Sequence, residues 1–576
     1  MAMIGESGFR FLVCLAVVSA AFVAYVNTFP GDFVWDDVSS VLLHEDVTNG
    51  RLTELFTKDQ HAYGRGQGNF YRPLVSTSFL VDFALSKAGD PTPAPSPEEV
   101  PRVSPFFFHI TNVLWHAAAA LAFFLVLARL GAPRFVQAAV PLLYVVHPLH
   151  TEAVAYISGR ADPMAAAFGF AGLFFALGSG RRWMGAVLCW VCFALALLCK
   201  ESATIFPFVL LALVIGMWVK RKAGETEAAP ASTPPYAALI GSFALVVVYG
   251  ILRMTVLRFS DETSANTSGL LTRTVESMQS LAVYVKLIVA PTNLHMERTL
   301  AEVPGWAALA GLLVVAVILA VAVWALKTGR TRLWFGAALF LITWIPISGI
   351  FPLNAPLAEH WMYVPLAGFL TVVFELFAPV GRNAALRTAL AFAIFLAGTF
   401  FLLQTVTRNR DWRSNESIYL ATLEDNPNSI RVNYNLAVTY EDLSGNIAGA
   451  RRYYNRVVAL YADKKAKDAT LADTYWEDEL ESHVSLGRIY FEQQRYQPAA
   501  EHFGTVLRVE PNEQTRQAVG TAFLGMAETL AAVRQFDNLR TMLESGRAKF
   551  PELQQQIDTM LQALPPATSG AAPGQS

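Results

Sequence analysis

Apolar runs of roughly 17 to 25 residues, each long enough to cross a hydrocarbon core of about 30 Å as a helix, recur from Phe9 to Val406. There are about eleven, near 9–28, 106–129, 134–149, 163–179, 183–199, 203–219, 236–257, 304–326, 333–350, 361–379 and 386–406. The third and fourth are short enough to be re-entrant in part. A chain of this kind has a bilayer for solvent, where only helices and closed barrels satisfy their own backbone. The run lengths select helices, so the expected fold is all-α and polytopic. Composition agrees, because 54% of the 576 residues are hydrophobic and only 16% are charged. A net charge of −2 leaves no basic footprint, and no nucleic-acid motif is present, which excludes nucleic acid as a partner. The run from Phe9 to Phe29 is too long for a signal-peptide core and has no clear cleavage site, so it reads as a retained first span. All four cysteines lie inside apolar runs, which removes a disulfide framework and a paired-cysteine zinc site.

Charge in the connections orients these runs. Every second connection is short and basic: Arg129 with Arg134, Arg181 with Arg182, Lys220 to Lys222, Lys327 with Arg330 and Arg332, and Arg382 with Arg387. By the positive-inside rule these five are cytoplasmic, which places the N-terminus in the cytoplasm and the C-terminal part outside. The opposite connections, 29–105, 147–163, around Lys200-Glu201, 258–303 and 351–360, are long or rich in His, Asp, Glu and aromatic residues. Within the first of them, 90–101 reads as a proline-rich spacer in extended conformation.

After Arg408 the pattern changes. From Leu486, Gly487 and Tyr490, the residues Ala499, Phe503 and Pro511 follow Leu486 at offsets 13, 17 and 25, the tetratricopeptide spacing. Leu436, Ala437 and Tyr440 start a second unit, expanded by the charged insert Lys464 to Glu481, and Leu524 with Gly525 marks a weaker third. Pro427 closes a half-repeat that begins near Trp412. Stacked helix pairs of this kind form a solenoid whose concave face takes extended peptide. The expected organisation is a membrane domain at 1–408, a tetratricopeptide-repeat α-solenoid at 409–563 and a disordered tail at 564–576.

The polar connections carry the candidate chemistry. Trp35-Asp36-Asp37 puts two adjacent carboxylates just beyond the first span; a carboxylate partly desolvated at a membrane surface suits proton acceptance, and Asp is equally a favoured helix cap. Tyr71-Arg72-Pro73-Leu74, His147-Pro148-Leu149-His150-Thr151-Glu152 and Gly159-Arg160-Ala161-Asp162 place cations and imidazoles at span ends, where they suit phosphate. His147 and His150 with Glu152 give three metal ligands and no clear fourth, so no metal site is assigned. Asp162 before Pro163 also fits a helix start. Lys200-Glu201 and Glu359-His360-Trp361-Met362-Tyr363 fall at two further span ends, where a Lys ordinarily snorkels and pairs with its Glu. The concentration of His, Asp and Glu on one side speaks for function.

Taken together, Trp35-Asp36-Asp37, Tyr71-Arg72-Pro73-Leu74, His147 to Val154 running into Gly159-Arg160-Ala161-Asp162, and Cys199-Lys200-Glu201 resemble the TMTC family. These are transmembrane and tetratricopeptide-repeat O-mannosyltransferases of the GT-C superfamily. Tyr284 to Leu287, Pro291 to Leu294, and Glu359 with Tyr363 and Pro365 extend the resemblance over nearly the whole chain. It implies a GT-C-type bundle, a polyprenyl-phosphate sugar donor, membrane lipid around it, and an acceptor protein whose Ser or Thr is presented by the repeats. It further implies Asp36 and Asp37 as the base and its neighbour, and Arg72, His147, His150, Arg160 and Lys200 as donor-phosphate ligands. Glu152, Asp162 and Glu201 belong to the same substrate site, with Glu359, His360 and Tyr363 closing it. Where animal members tend to have Glu-Arg, this chain has Glu359-His360, a titratable cation in place of a fixed one. No cofactor is assigned, and a divalent cation stays open.

A phosphate leaving group needs little acid assistance, so one base and a cationic cradle suffice for an inverting single displacement. The short repeat region suits a bacterial inner-membrane protein with its repeats in the periplasm. Three alternatives stand beside this reading: a GT-C transferase acting on a lipid or envelope glycan, a transporter or flippase, and a non-catalytic membrane scaffold.

Overall fold

The computed structural model describes residues 5–61, 69–89, 103–178, 181–222, 234–257, 269–300, 303–351, 353, 355–378, 384–467 and 475–565. The spacer expected at 90–101 and nearly all of the tail from 564 lie outside these. The chain forms two compact units, Met1–Ile418 and Tyr419–Ser576. Among the described residues the elements are helices joined by turns and loops, the all-α polytopic fold expected.

In the first unit a helix stands at each of the eleven apolar runs, beginning with Glu6–Tyr25, Phe106–Arg129 and Arg134–Val145 and ending with Ala384–Arg408. Among the described residues seven helices are long and apolar enough to cross a membrane by length and composition. Among the described residues two long helices also fall inside connections, Pro73–Gly89 and Leu270–Val289, and the latter packs on Ala307–Lys327.

Side-chain contacts sort the connections to the two ends of the bundle. At one end Glu6 meets Arg134 at 3.2 Å, Arg129 lies over the Phe174 ring at 4.7 Å, and Arg332 meets Glu375 at 2.8 Å. At the other, Asn409 donates to the Ala24 carbonyl at 2.8 Å and Asn27 to the Val406 carbonyl at 2.8 Å. The helices Glu6–Tyr25 and Ala384–Arg408 therefore finish side by side. The acid-bearing loop and the segment that follows the last apolar run leave the bundle at the same end.

The second unit is a series of packed helix pairs, Ile447–Lys467 on Ile430–Val438, Tyr496–Val506 on Trp476–Glu492, and Phe536–Lys549 on Arg516–Ala532. Phe503 is its central plug. A Cβ on Gly487 would meet the Phe503 ring at 2.5 Å and one on Gly525 at 2.4 Å, so both positions need glycine for the helices to close on that ring. Facing imidazoles join one pair: His483 Nδ1 and His502 Nδ1 are 2.8 Å apart, so one must donate and the other accept. Glu479 takes the far nitrogen of His483 at 3.2 Å.

Burial, with His483 beside it, pushes the His502 imidazole down to about 4. An unfolded imidazole takes its proton near 6.5, so between those values the unfolded chain binds more protons. The contribution of His502 is therefore complete above about pH 6.5 and is lost as pH falls toward about 4. Thermal melts of the full-length protein should show the second unit weakening over that window, and His502→Gln should flatten the dependence. An unchanged slope in the variant would assign it to another group.

Candidate active site

The first loop beyond Glu6–Tyr25 folds tightly around its two acids. Trp35 has φ +52°, a left-handed conformation that costs a bulky residue on the order of 1–3 kcal/mol and persists only when its surroundings hold it. The Trp35 N–H donates to Asn415 Oδ1 at 2.8 Å, and its ring stacks on Tyr156 at 5.8 Å, which in turn stacks on the buried Trp412 at 5.2 Å.

This turn separates the fates of Asp36 and Asp37. Asp37 is fully buried; one oxygen accepts from the Val34 N–H at 3.0 Å, the other from the Ser158 N–H at 2.7 Å and hydroxyl at 2.6 Å. Burial pushes its carboxyl up to about 7 against those three donors. Asp36 is only half-buried, and its carboxylate is met by the Tyr156 hydroxyl. Ser158 reaches Asp37 because the chain doubles back at Gly159, where a Cβ would sit 2.5 Å from the Glu152 carbonyl oxygen.

At the same end lie two ion pairs with partly exposed cations. Arg72 meets Glu201 at 3.3 Å, and Lys200 meets Asp162 at 2.7 Å; the two cationic side chains are 15% and 12% exposed. Ser40, three residues after Asp37, bonds His61 at 3.1 Å. Burial and the nearby Arg72 push that imidazole down to about 4, so it is neutral at physiological pH. Arg253, which the sequence reading did not single out, donates to the side chain of Asn69 at 2.5 Å.

A second charged group stands around the start of Tyr363–Phe377. Glu152 takes both the His360 ring at 2.8 Å and the His360 N–H at 2.9 Å. Glu359 binds Arg298 at 2.9 Å and lies 3.8 Å from the buried Arg408, which also pairs with Asp411 at 2.8 Å. Arg298 and Arg408 had no motif to reveal them; each lies far in sequence from Glu359.

Four expected phosphate or closing residues face the protein interior. His147 bonds the Ile288 carbonyl at 2.9 Å and accepts from the Leu149 N–H at 3.3 Å, capping a turn. His150 bonds the Tyr144 carbonyl at 2.8 Å and packs its ring 4.4 Å from that of Tyr363, whose own hydroxyl meets His116 at 2.6 Å. Arg160 is fully buried; it pairs with Asp82, donates to Asn112, and reaches Ser78 at 2.9 Å and the Phe108 carbonyl at 2.8 Å. Most polar atoms of these side chains are taken up by neighbours, and the buried His150 Nε2 has no hydrogen-bond partner among the described residues. Among the described residues no group of three or more His, Cys, Asp or Glu side chains is arranged to hold a metal ion.

The half-buried acid and the partly exposed cations suit proton abstraction beside an anionic leaving group. No protein-family model matches the chain. It is 24% identical over 518 residues to protein O-mannosyl-transferase TMTC3 of Mus musculus, covering 82% of this chain and 52% of the relative. It is 23% identical to protein O-mannosyl-transferase F38B6.6 of Caenorhabditis elegans over 77% of this chain and 62% of that one. Protein O-mannosyl-transferase Tmtc1 of Drosophila melanogaster is 36% identical over a shorter stretch, 33% of this chain and 21% of its own. The chain thus spans about half to three fifths of the length of the first two. Its relatives along most of its length are TMTC protein O-mannosyl-transferases, and by that likeness the chain is TMTC-like.

Proposed function

We propose that this protein is a membrane glycosyltransferase of GT-C type that moves a hexose, mannose or another, from a polyprenyl-phosphate carrier to Ser or Thr hydroxyls of a protein. Asp36 is the base: it takes the acceptor proton as the hydroxyl oxygen attacks the anomeric carbon and the carbon–phosphate oxygen bond breaks. Arg72 and Lys200 take the charge that develops on the departing phosphate, exchanging their carboxylate partners for it. Asp37, Ser158 and Arg160 set the loop. The second unit acts as a tetratricopeptide-repeat array presenting the acceptor, and the polar end faces the periplasm or lumen with the N-terminus cytoplasmic.

The observation that carries this reading is a half-buried acid on a strained loop, at the same bundle end as the partly exposed Arg72 and Lys200, in a TMTC-like chain. The ion pairs gather at the bundle ends; transporters usually keep ionisable groups near the membrane midplane.

The test supplies the purified full-length protein with radiolabelled polyprenyl-phosphate sugars and an envelope protein extract. Label is expected in protein with wild type and to be absent with Asp36→Asn. Label that survives both Asp36→Asn and Asp37→Asn removes the assignment, and label found only in lipid moves the acceptor to an envelope glycan. Arg72→Ala or Lys200→Ala should raise the donor KM by about tenfold or more, since a hydrogen bond to a charged group is worth about 1.5–3 kcal/mol. An unchanged KM in both would place the phosphate elsewhere.

A further inference from the structure

The segment after the last apolar run reads in sequence as the start of a repeat. Its contacts put it elsewhere. Asn415 Oδ1 accepts the Trp35 N–H at 2.8 Å, and the Arg413 carbonyl accepts the Asp32 N–H at 2.8 Å. Trp412 is 1% exposed and backs the stack Trp412, Tyr156, Trp35, whose middle member also bonds Asp36. Upstream, Asn409 donates to the Ala24 carbonyl at 2.8 Å and to Asn27 Oδ1 at 2.7 Å, and Arg408 binds Asp411 at 2.8 Å. The acid loop is thus held along 24–35 by 406–415, a partner about 380 residues away in sequence.

We infer that this connector is part of the frame of the active centre, with Asn415 and Trp412 as positioning residues that set the carboxylate of Asp36 toward the acceptor. The inference rests on the reading of Asp36 as the base. A left-handed Trp35 has no local reason to persist, since neither glycine nor asparagine stands there. The bond from Asn415 and the ring stack supply that reason from outside the loop. Asp36 follows Trp35 directly, so relaxing Trp35 to an ordinary backbone conformation redirects the next side chain. General-base catalysis needs the carboxylate within hydrogen-bond reach of the hydroxyl, and a misplacement of about 1 Å costs on the order of 10²-fold. The helix Asn415–Asp425 begins at this clamp and runs on into the residues of the second unit. The base is thereby set by the same stretch of chain that leads to the proposed acceptor-presenting repeats.

Full-length Asn415→Leu, Asn415→Ser and Asn415→Asp are compared with wild type and Asp36→Asn in two measurements. One is transfer kinetics across pH, and the other is hydrogen exchange of peptides covering 30–40. Leu offers no acceptor and Ser is too short to reach Trp35, yet Ser suits a helix start and guards against an unfolded Leu variant. Both should lower kcat by about tenfold or more with the donor KM nearly unchanged, and both should raise exchange at 32–37. Asn415→Asp keeps the oxygen and should recover most of the rate, with its pH–rate limb displaced upward by the added negative charge. Wild-type kcat together with wild-type exchange in Asn415→Ser overturns the inference while leaving Asp36 as the base. Should Asp36→Asn remain active, the base reading falls, and the positioning role of Asn415 falls with it even where the exchange shows the clamp.

Discussion

Asp36→Asn is expected to lower the transfer rate by about 10²–10⁴-fold, the usual contribution of a positioned base, while the protein melts as wild type does. The half-buried Asp36 carboxylate has the Tyr156 hydroxyl as its identified contact, and an amide keeps that bond. Asp37→Asn should behave in the opposite way. Its carboxylate is enclosed by three donors, and an amide oxygen can serve Ser158 only by turning an N–H toward that of Val34. A buried donor left facing a donor costs about 1–3 kcal/mol, so Asp37→Asn should lower the melting temperature and lose rate only as the loop loosens.

The two acids also differ in pH dependence. Asp37 titrates at about 7 in the folded chain and near 3.9 when unfolded. The folded chain binds the extra proton between those values, so this contribution to stability is complete below about pH 4, falls as pH rises toward 7 and is flat above. Melts of wild type and Asp37→Asn between pH 4 and 8 read this directly, because the variant lacks the slope. A rate loss in Asp37→Asn as deep as in Asp36→Asn, with stability and slope unchanged, would exchange the two roles.

Arg160→Met is expected to cost about 3–5 kcal/mol of stability, the toll of stripping one partner from a buried ion pair. Asp82 would be left enclosed and charged, with Asn112 and the Phe108 carbonyl losing their donor. Adding Asp82→Leu should restore much of the loss, since a buried pair replaced by apolar side chains of similar volume is often neutral. The double-mutant cycle, followed by thermal unfolding in detergent, isolates the coupling. A phosphate ligand behaves differently: Arg160→Met would then raise the donor KM at unchanged stability, and the second substitution would rescue nothing.

How far the site can be read in sequence depends on the kind of signal. Arg72, Lys200, Asp36 and Glu359 stand out because the polar and charged residues of the connections gather on one side of the apolar runs. His147, His150 and Arg160 carry the same signal, yet their side chains are fully buried. One-dimensional position says that a residue is at a span end and leaves open which way its side chain turns. The helices Pro73–Gly89 and Leu270–Val289 were hidden for a related reason: they sit within connections and lack a full apolar run. Gly487 and Phe503 stood out as repeat positions because that spacing is local, and the fold sets them against each other.

Hydropathy, charge alternation and repeat spacing alone therefore determined an all-α bundle, the gathering of polar chemistry at one end and a helical tail, because each is periodic or local along the chain. Tertiary structure alone decided that Asp37 is enclosed while Asp36 is half-buried, that Arg298 and Arg408 meet Glu359, and that Asn415 holds Trp35. Those facts depend on contacts between residues from tens to hundreds of positions apart. Burial and hydrogen bonding at such contacts are set by how whole helices pack, which no local pattern encodes.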